Sequence, residues 1–143
     1  MNKYFILIIL FAFLFSVKGT GQDLSSHIWE NRLLLISAPD ENRSEYQDQL
    51  AILRENTEGL EERKLVVYSL LPDKYKKGLR SENWLSSTVL SDLFRDRNND
   101  FEVILIGLDG GVKLQQREVL STEKLFSVID AMPMRIRELQ RKQ

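Results

Sequence analysis

Apolar positions fall into four short runs, separated by segments with helical spacing or with no period at all. After Arg32 the residues LLLIS (33–37) form an almost unbroken apolar run, the pattern of a strand covered on both faces. Pro39 stops it, because proline cannot donate to a strand ladder. From Ser44 to about Asn56 the spacing is helical, with Tyr46, Leu50 and Leu53 forming one stripe. Asn42 with Glu45 and Ser44 with Gln47 both have capping-box spacing, which leaves the start of this helix open. Gly59 breaks the chain, and KLVVYSLL (64–71) is a second strand, rich in β-branched residues and closed by Pro72. Residues 73–86, DKYKKGLRSENWLS, have no clear period and predict an irregular surface excursion. Ser86 or Ser87 then caps a helix reaching about Arg97, with Val89, Leu90, Leu93 and Phe94 on one face. FEVILIG (101–107) is a third strand, apolar apart from Glu102. Leu108–Asp109–Gly110–Gly111 is a turn, since Asp-Gly favours positive φ. VKLQQRE (112–118) is a fourth strand, with Val112 and Leu114 alternating with polar residues as at a half-exposed edge. Ser121 caps a last helix with the stripe Leu125, Val128, Ile129 and Met132, and Pro133 marks its end or a kink.

This order, β-α-β, then an excursion and helix, then a β-hairpin and helix, predicts an α/β three-layer sandwich. Its mixed four-stranded sheet should run in the order 2-1-3-4 with helices on both faces, the first and third strands central and the fourth at an edge. Leu34, Ile36, Ile104 and Leu105 should be nearly inaccessible to solvent.

Ahead of this pattern stands a different one. Lys3 is followed by an apolar run of 14 residues, Tyr4 to Val17, and then by the small residues Gly19 and Gly21 before Gln22. A comfortable membrane span needs about 20 apolar residues, so the run has the proportions of a secretory signal, with an uncleaved anchor as the alternative. The expectation is a signal peptide over 1–21 and a single domain over 22–143, exported to the periplasm or secreted. No membrane span would remain after cleavage.

Charge narrows the partners. Without residues 1–21 the chain carries 18 basic and 21 acidic residues, which offers no electrostatic case for nucleic acid. Cysteine is absent, which rules out lipid anchoring through a cysteine and any thiol chemistry. Export permits disulfides without requiring them.

The segments NRLLLISAPDE, ILIGLDGGVKL and LFSVIDAMPMR, in that order, resemble the DUF4174 family over about residues 29–137. The resemblance implies a thioredoxin-like fold related to peroxiredoxins, placed outside the cytoplasm, with no established reaction. Where such a fold would carry its reactive cysteines, this chain has Ala38–Pro39–Asp40–Glu41–Asn42–Arg43. Where it would carry a proline before the third strand, Asp100 and Phe101 stand instead. The scaffold's pattern is kept and its redox residues are not.

Other chemistry is sparse. The single histidine, His27, reads as an ordinary surface or boundary residue, and one histidine without cysteines does not make a zinc site. No nucleophile-elbow glycines surround Ser25, Ser26 or Ser37, and Gly110–Gly111 lies in a hairpin turn rather than a phosphate loop. Asp40 and Glu41 have two readings. Just ahead of a helix, negative charge is stabilised by the helix dipole. Alternatively, two loop carboxylates with separated pKa values form an acid/base pair for a non-redox hydrolase or lyase. Tyr75 and Trp84 lie among Lys74, Lys76, Lys77 and Arg80, either as staples beneath the excursion or as contacts to an acidic or glycan partner. The basic tail Arg135, Arg137, Arg141 and Lys142 reads as a solvated helix end. The expected function is therefore a non-catalytic binding module for an unidentified protein or extracellular (envelope) partner. It needs no cofactor and no metal, and its candidate rim is Asp40, Glu41, Asn42, Arg43, Tyr75 and Trp84.

Overall fold

The computed structural model describes residues 24–95 and 100–143. The expected signal peptide lies outside the described residues, as does the far end of the helix expected to reach Arg97.

Six strands form one mixed sheet: β1 (Arg32–Ser37), β2 (Leu65–Leu70), β3 (Lys74–Lys77), β4 (Leu85–Ser86), β5 (Glu102–Ile106) and β6 (Val112–Gln116). Their order is β4-β3-β2-β1-β5-β6. β1 and β2 are parallel, while β1–β5, β5–β6, β2–β3 and β3–β4 are antiparallel. The four anticipated strands hold their relative order, with β1 and β5 inside and β6 at an edge. The expectation of a four-stranded sheet is corrected by β3 and β4, which arise from the stretch expected to be irregular. Their pairing is made by backbone groups, Leu70 opposite Tyr75 and Tyr75 opposite Leu85, so a mostly basic four-residue strand needs no apolar period to form.

β1 and β5 are buried along their whole length because alternate side chains enter two different cores. Leu34, Ile36, Val103 and Leu105 face one, with Tyr46, Leu50, Leu53, Leu60, Leu125 and Ile129. Leu33, Leu35, Ile104 and Ile106 face the other, with Tyr68, Leu70, Tyr75 and Leu90. The first core is covered by α1 (Ser44–Arg54), α2 (Thr57–Glu62) and α4 (Thr122–Asp130); the second by α3 (Val89–Phe94) and the 3-10 turn Leu24–His27. These are the helices on both faces. The four residues expected to be inaccessible are at most 4% exposed.

Local signals account for several element ends. Ser121 caps α4 by accepting from the Lys124 N–H at 3.2 Å. At the β5–β6 hairpin Gly110 takes φ of 79°, and the Asp109 carboxylate accepts from the Gly111 N–H. Pro133 begins a further helix, α5 (Pro133–Arg141), as its N1 residue. The tail is not simply a solvated end, because Arg135 on α5 is fully buried. Its guanidinium meets Glu62 at 2.8 Å, Asp130 at 3.2 Å and Glu138 at 3.3 Å. Arg32, buried at the start of β1, also reaches Glu138 and donates to the Arg63 carbonyl, and Arg63 meets Asp130 at 2.7 Å. One ionic network thus ties β1, α2, α4 and α5.

Candidate functional site

The loop 38–43 leaves the end of β1 and turns into α1. Its first residue is held to the sheet, the Ala38 N–H donating to the Leu70 carbonyl at 3.1 Å. Asp40 is exposed, and its carboxylate accepts from the Asn42 N–H at 2.8 Å, closing a turn of its own. It does not cap the helix. The residue before α1 is Arg43, which makes no side-chain cap, so neither capping-box reading holds. Arg43 instead lies 2.9 Å from Glu45 and 3.5 Å from Asp100.

Glu41 turns the other way, toward β3. Lys74 donates to its carboxylate at 2.7 Å and is the main reason the Glu41 pKa lies below the ordinary carboxylate value, against a smaller opposing effect of burial. The two adjacent carboxylates therefore have separate partners, and no acid/base pair is assembled between them. The surface between Pro39–Asn42 and Leu71–Lys74 is an open depression of about 700 Å³.

The Lys74 ammonium also stands 4.8 Å from the centre of the Trp84 ring, and that of Lys76 stands 4.7 Å from it. Lys74 and Lys76 share a face of β3 because strand side chains alternate. Tyr75, between them, points through the sheet into the second core, where its ring lies 6.3 Å from that of Tyr68. Of the expected rim, the structure joins Glu41 and Trp84 through Lys74. Asp40, Asn42 and Arg43 remain on the loop side, and Tyr75 faces away. Trp84 is half-buried against the first core and is both a staple and part of the surface.

Behind Trp84 lies a cavity of about 220 Å³ whose walls include Tyr46 and Lys76. Burial pushes the Tyr46 hydroxyl up, an effect partly relieved by Ser69, and pushes the Lys76 ammonium down, partly offset by Glu41. Sequence reasoning took Tyr46 as a core residue and Lys76 as one of several loop lysines. Spacing within each element puts Tyr46 on a buried stripe and Lys76 on the face of Lys74, and nothing in it brings the two together.

On the opposite face of the sheet, Leu24, Ile28, Leu33, Leu90, Phe94 and Ile106 surround an apolar cavity of about 390 Å³. His27 lies in its wall and is buried, contrary to its reading as a surface or boundary residue. One ring nitrogen is 2.8 Å from the Tyr68 hydroxyl and the other 3.0 Å from the Asn31 side-chain oxygen.

Comparison with known proteins fits this architecture. Sushi repeat-containing protein SRPX2 of Bos taurus is 29% identical over 119 residues, covering 80% of this chain and 26% of that protein. The Rattus norvegicus protein of the same name is 28% identical over 131 residues, covering 89% of this chain and 28% of that protein. Coiled-coil domain-containing protein 80 of Danio rerio is 29% identical over 128 residues, covering 76% of this chain and 15% of that protein. The chain spans about a quarter of the length of the SRPX2 relatives. Among solved structures, the mitochondrial 2-Cys peroxiredoxin from Plasmodium falciparum superposes with a TM-score of 0.55 at 15% identity, covering 76% of this chain and 79% of that one. The reduced 2-Cys peroxiredoxin of Plasmodium vivax gives 0.55 at 16%, covering 82% and 84%. These likenesses show the thioredoxin-type fold. The model of the domain of unknown function DUF4174 matches residues 23–138, and the chain belongs to that family.

Proposed function

We propose that this chain is an exported, non-catalytic binding module whose contact surface is the rim where the 38–43 loop meets β3 and β4. The observation that carries the reading is the Glu41–Lys74–Trp84–Lys76 assembly. It fixes a half-buried indole just ahead of β4 and two ammonium groups on β3, beside the 38–43 loop. Tryptophan is enriched in protein interfaces and among the residues that carry most of their binding energy. Export is supported by Lys3, the apolar run Tyr4–Val17 and the small residues Gly19 and Gly21. The chain has no cysteine, so its own residues supply no thiolate for disulfide exchange or peroxide reduction.

The test is capture from the exported fraction with immobilised residues 22–143. Wild type should retain a defined partner, Trp84→Ala should lose it, and Val112→Ser on the exposed β6 edge should behave as wild type. Equal capture by wild type and Trp84→Ala would overturn the reading. Insulin-reduction and peroxide-consumption assays on the same protein should show no turnover.

A further inference from the structure

The small cavity behind Trp84 has an unbalanced lining. The side chains around it include the cations Arg54, Lys76 and Arg80 and the carboxylates Glu41 and Glu82. Glu41 is already engaged by Lys74. Lys76 is only 9% exposed, and its ammonium rests over the Trp84 ring with no carboxylate within ion-pair distance among the described residues. Tyr46 is 1% exposed; Ser69 is the polar side chain that bears on its hydroxyl, and no hydrogen bond of ordinary length is formed. A buried hydroxyl without a full hydrogen bond carries a desolvation cost, and so does a lysine this little exposed, which a ring face offsets only in part. Both line the same space.

We propose that this cavity binds an oxyanion group, a carboxylate, sulfate or phosphate, with Lys76 and the Tyr46 hydroxyl as donors and the exposed Arg54 and Arg80 beside them. One acceptor group takes a hydrogen bond from each of these two donors and offsets the positive charge of the lining. The cavity, about 220 Å³, is several times the roughly 30 Å³ of one water molecule, so it holds the anion together with part of the molecule that carries it. This deepens the binding-module reading and rests on it, by naming the chemical group that a partner presents to the rim.

The chain has two tryptophans, so a Trp29→Phe background leaves Trp84 as the sole indole reporter. Its emission is titrated with sodium sulfate, phosphate and acetate, against sodium chloride at matched ionic strength. At least one oxyanion should give a saturable change that chloride does not. Lys76→Met should weaken that affinity about tenfold or more, as expected for loss of a charged donor. Tyr46→Phe should weaken it less, and circular dichroism should show both variants folded. No saturation with any oxyanion, an equal response to chloride, or unchanged affinity in Lys76→Met would overturn the assignment. If no oxyanion titrates while partner capture still needs Trp84, the pocket assignment falls and the rim reading stands. If an oxyanion titrates while Trp84→Ala captures like wild type, the pocket stands and the rim reading falls.

Discussion

Asp40 and Glu41 are adjacent, but one closes its own turn on Asn42 and the other bridges to Lys74 on β3. Consecutive residues in a tight turn point apart, so adjacency alone says nothing of convergence. The Asp40 bond is exposed and replaceable by water, which limits its worth to the low end of the range for hydrogen bonds. Asp40→Ala should cost about 0.5 kcal/mol or less in urea unfolding. A loss above about 1 kcal/mol would mean that the carboxylate stabilises the α1 N-terminus after all. The separation of Tyr75 from the rim was legible once residues 74–77 are taken as a strand, since alternation puts Tyr75 and its flanking lysines on opposite faces. It was missed because the stretch carries no apolar period of its own.

α1 shows how much an element's pattern omits. The stripe Tyr46, Leu50 and Leu53 is buried as the spacing requires, but so is Gln49, at 0% exposure. Its amide donates to the Leu120 carbonyl at 3.0 Å, and its oxygen accepts from the Leu120 N–H at 2.7 Å. A glutamine beside an apolar stripe reads as solvent-facing; here a distant backbone segment lacking its own partners claims it. Gln49→Ala removes both bonds and leaves two buried backbone groups unsatisfied. We expect a loss of about 2–4 kcal/mol, measured by urea unfolding, with faster hydrogen exchange at the Leu120 amide. A cost below about 1 kcal/mol would show that water enters to replace the side chain. At the other end of the chain, the helix capped by Ser121 ends before Pro133, as one of its two readings had it, and Pro133 opens a further helix whose first turn it fits.

For the molecule as a whole, the buried ionic network predicts acid sensitivity. Burial alone would raise the Glu138 pKa, but hydrogen bonds from Arg32 and Arg135 outweigh it and hold the group below its ordinary 4.5. Asp130 behaves likewise under Arg63 and Arg135. A carboxylate with a depressed pKa in the folded state contributes stability that is fully present above its unfolded pKa and is lost as pH falls through the folded one. Thermal midpoints should therefore be flat near neutrality and drop from about pH 5 downward. Glu138→Gln should lower the neutral-pH midpoint and flatten the acid limb. An acid limb as steep in Glu138→Gln as in wild type would remove Glu138 from that account.

Strands β1 and β5, the Gly110 turn, the Ser121 cap and the stripes of α1 and α4 follow from the linear pattern. Each rests on near neighbours: the period of a strand or helix, the φ a turn requires, or the orphaned N–H groups of a helix start. β3 and β4, the Arg32–Arg135 network, the Gln49 clamp and the Trp84 cavity depend on which surfaces meet across the fold. Most of their residues are charged or polar and form no apolar pattern of their own. Their burial is set by partners far along the chain, such as Arg32 with Glu138, and local periodicity carries no trace of those. The absence of thiol chemistry needs no structure, because it follows from composition alone. The proposed contact surface is a matter of assembly, since Glu41, Lys76 and Trp84 come together only when β3 pairs with β2.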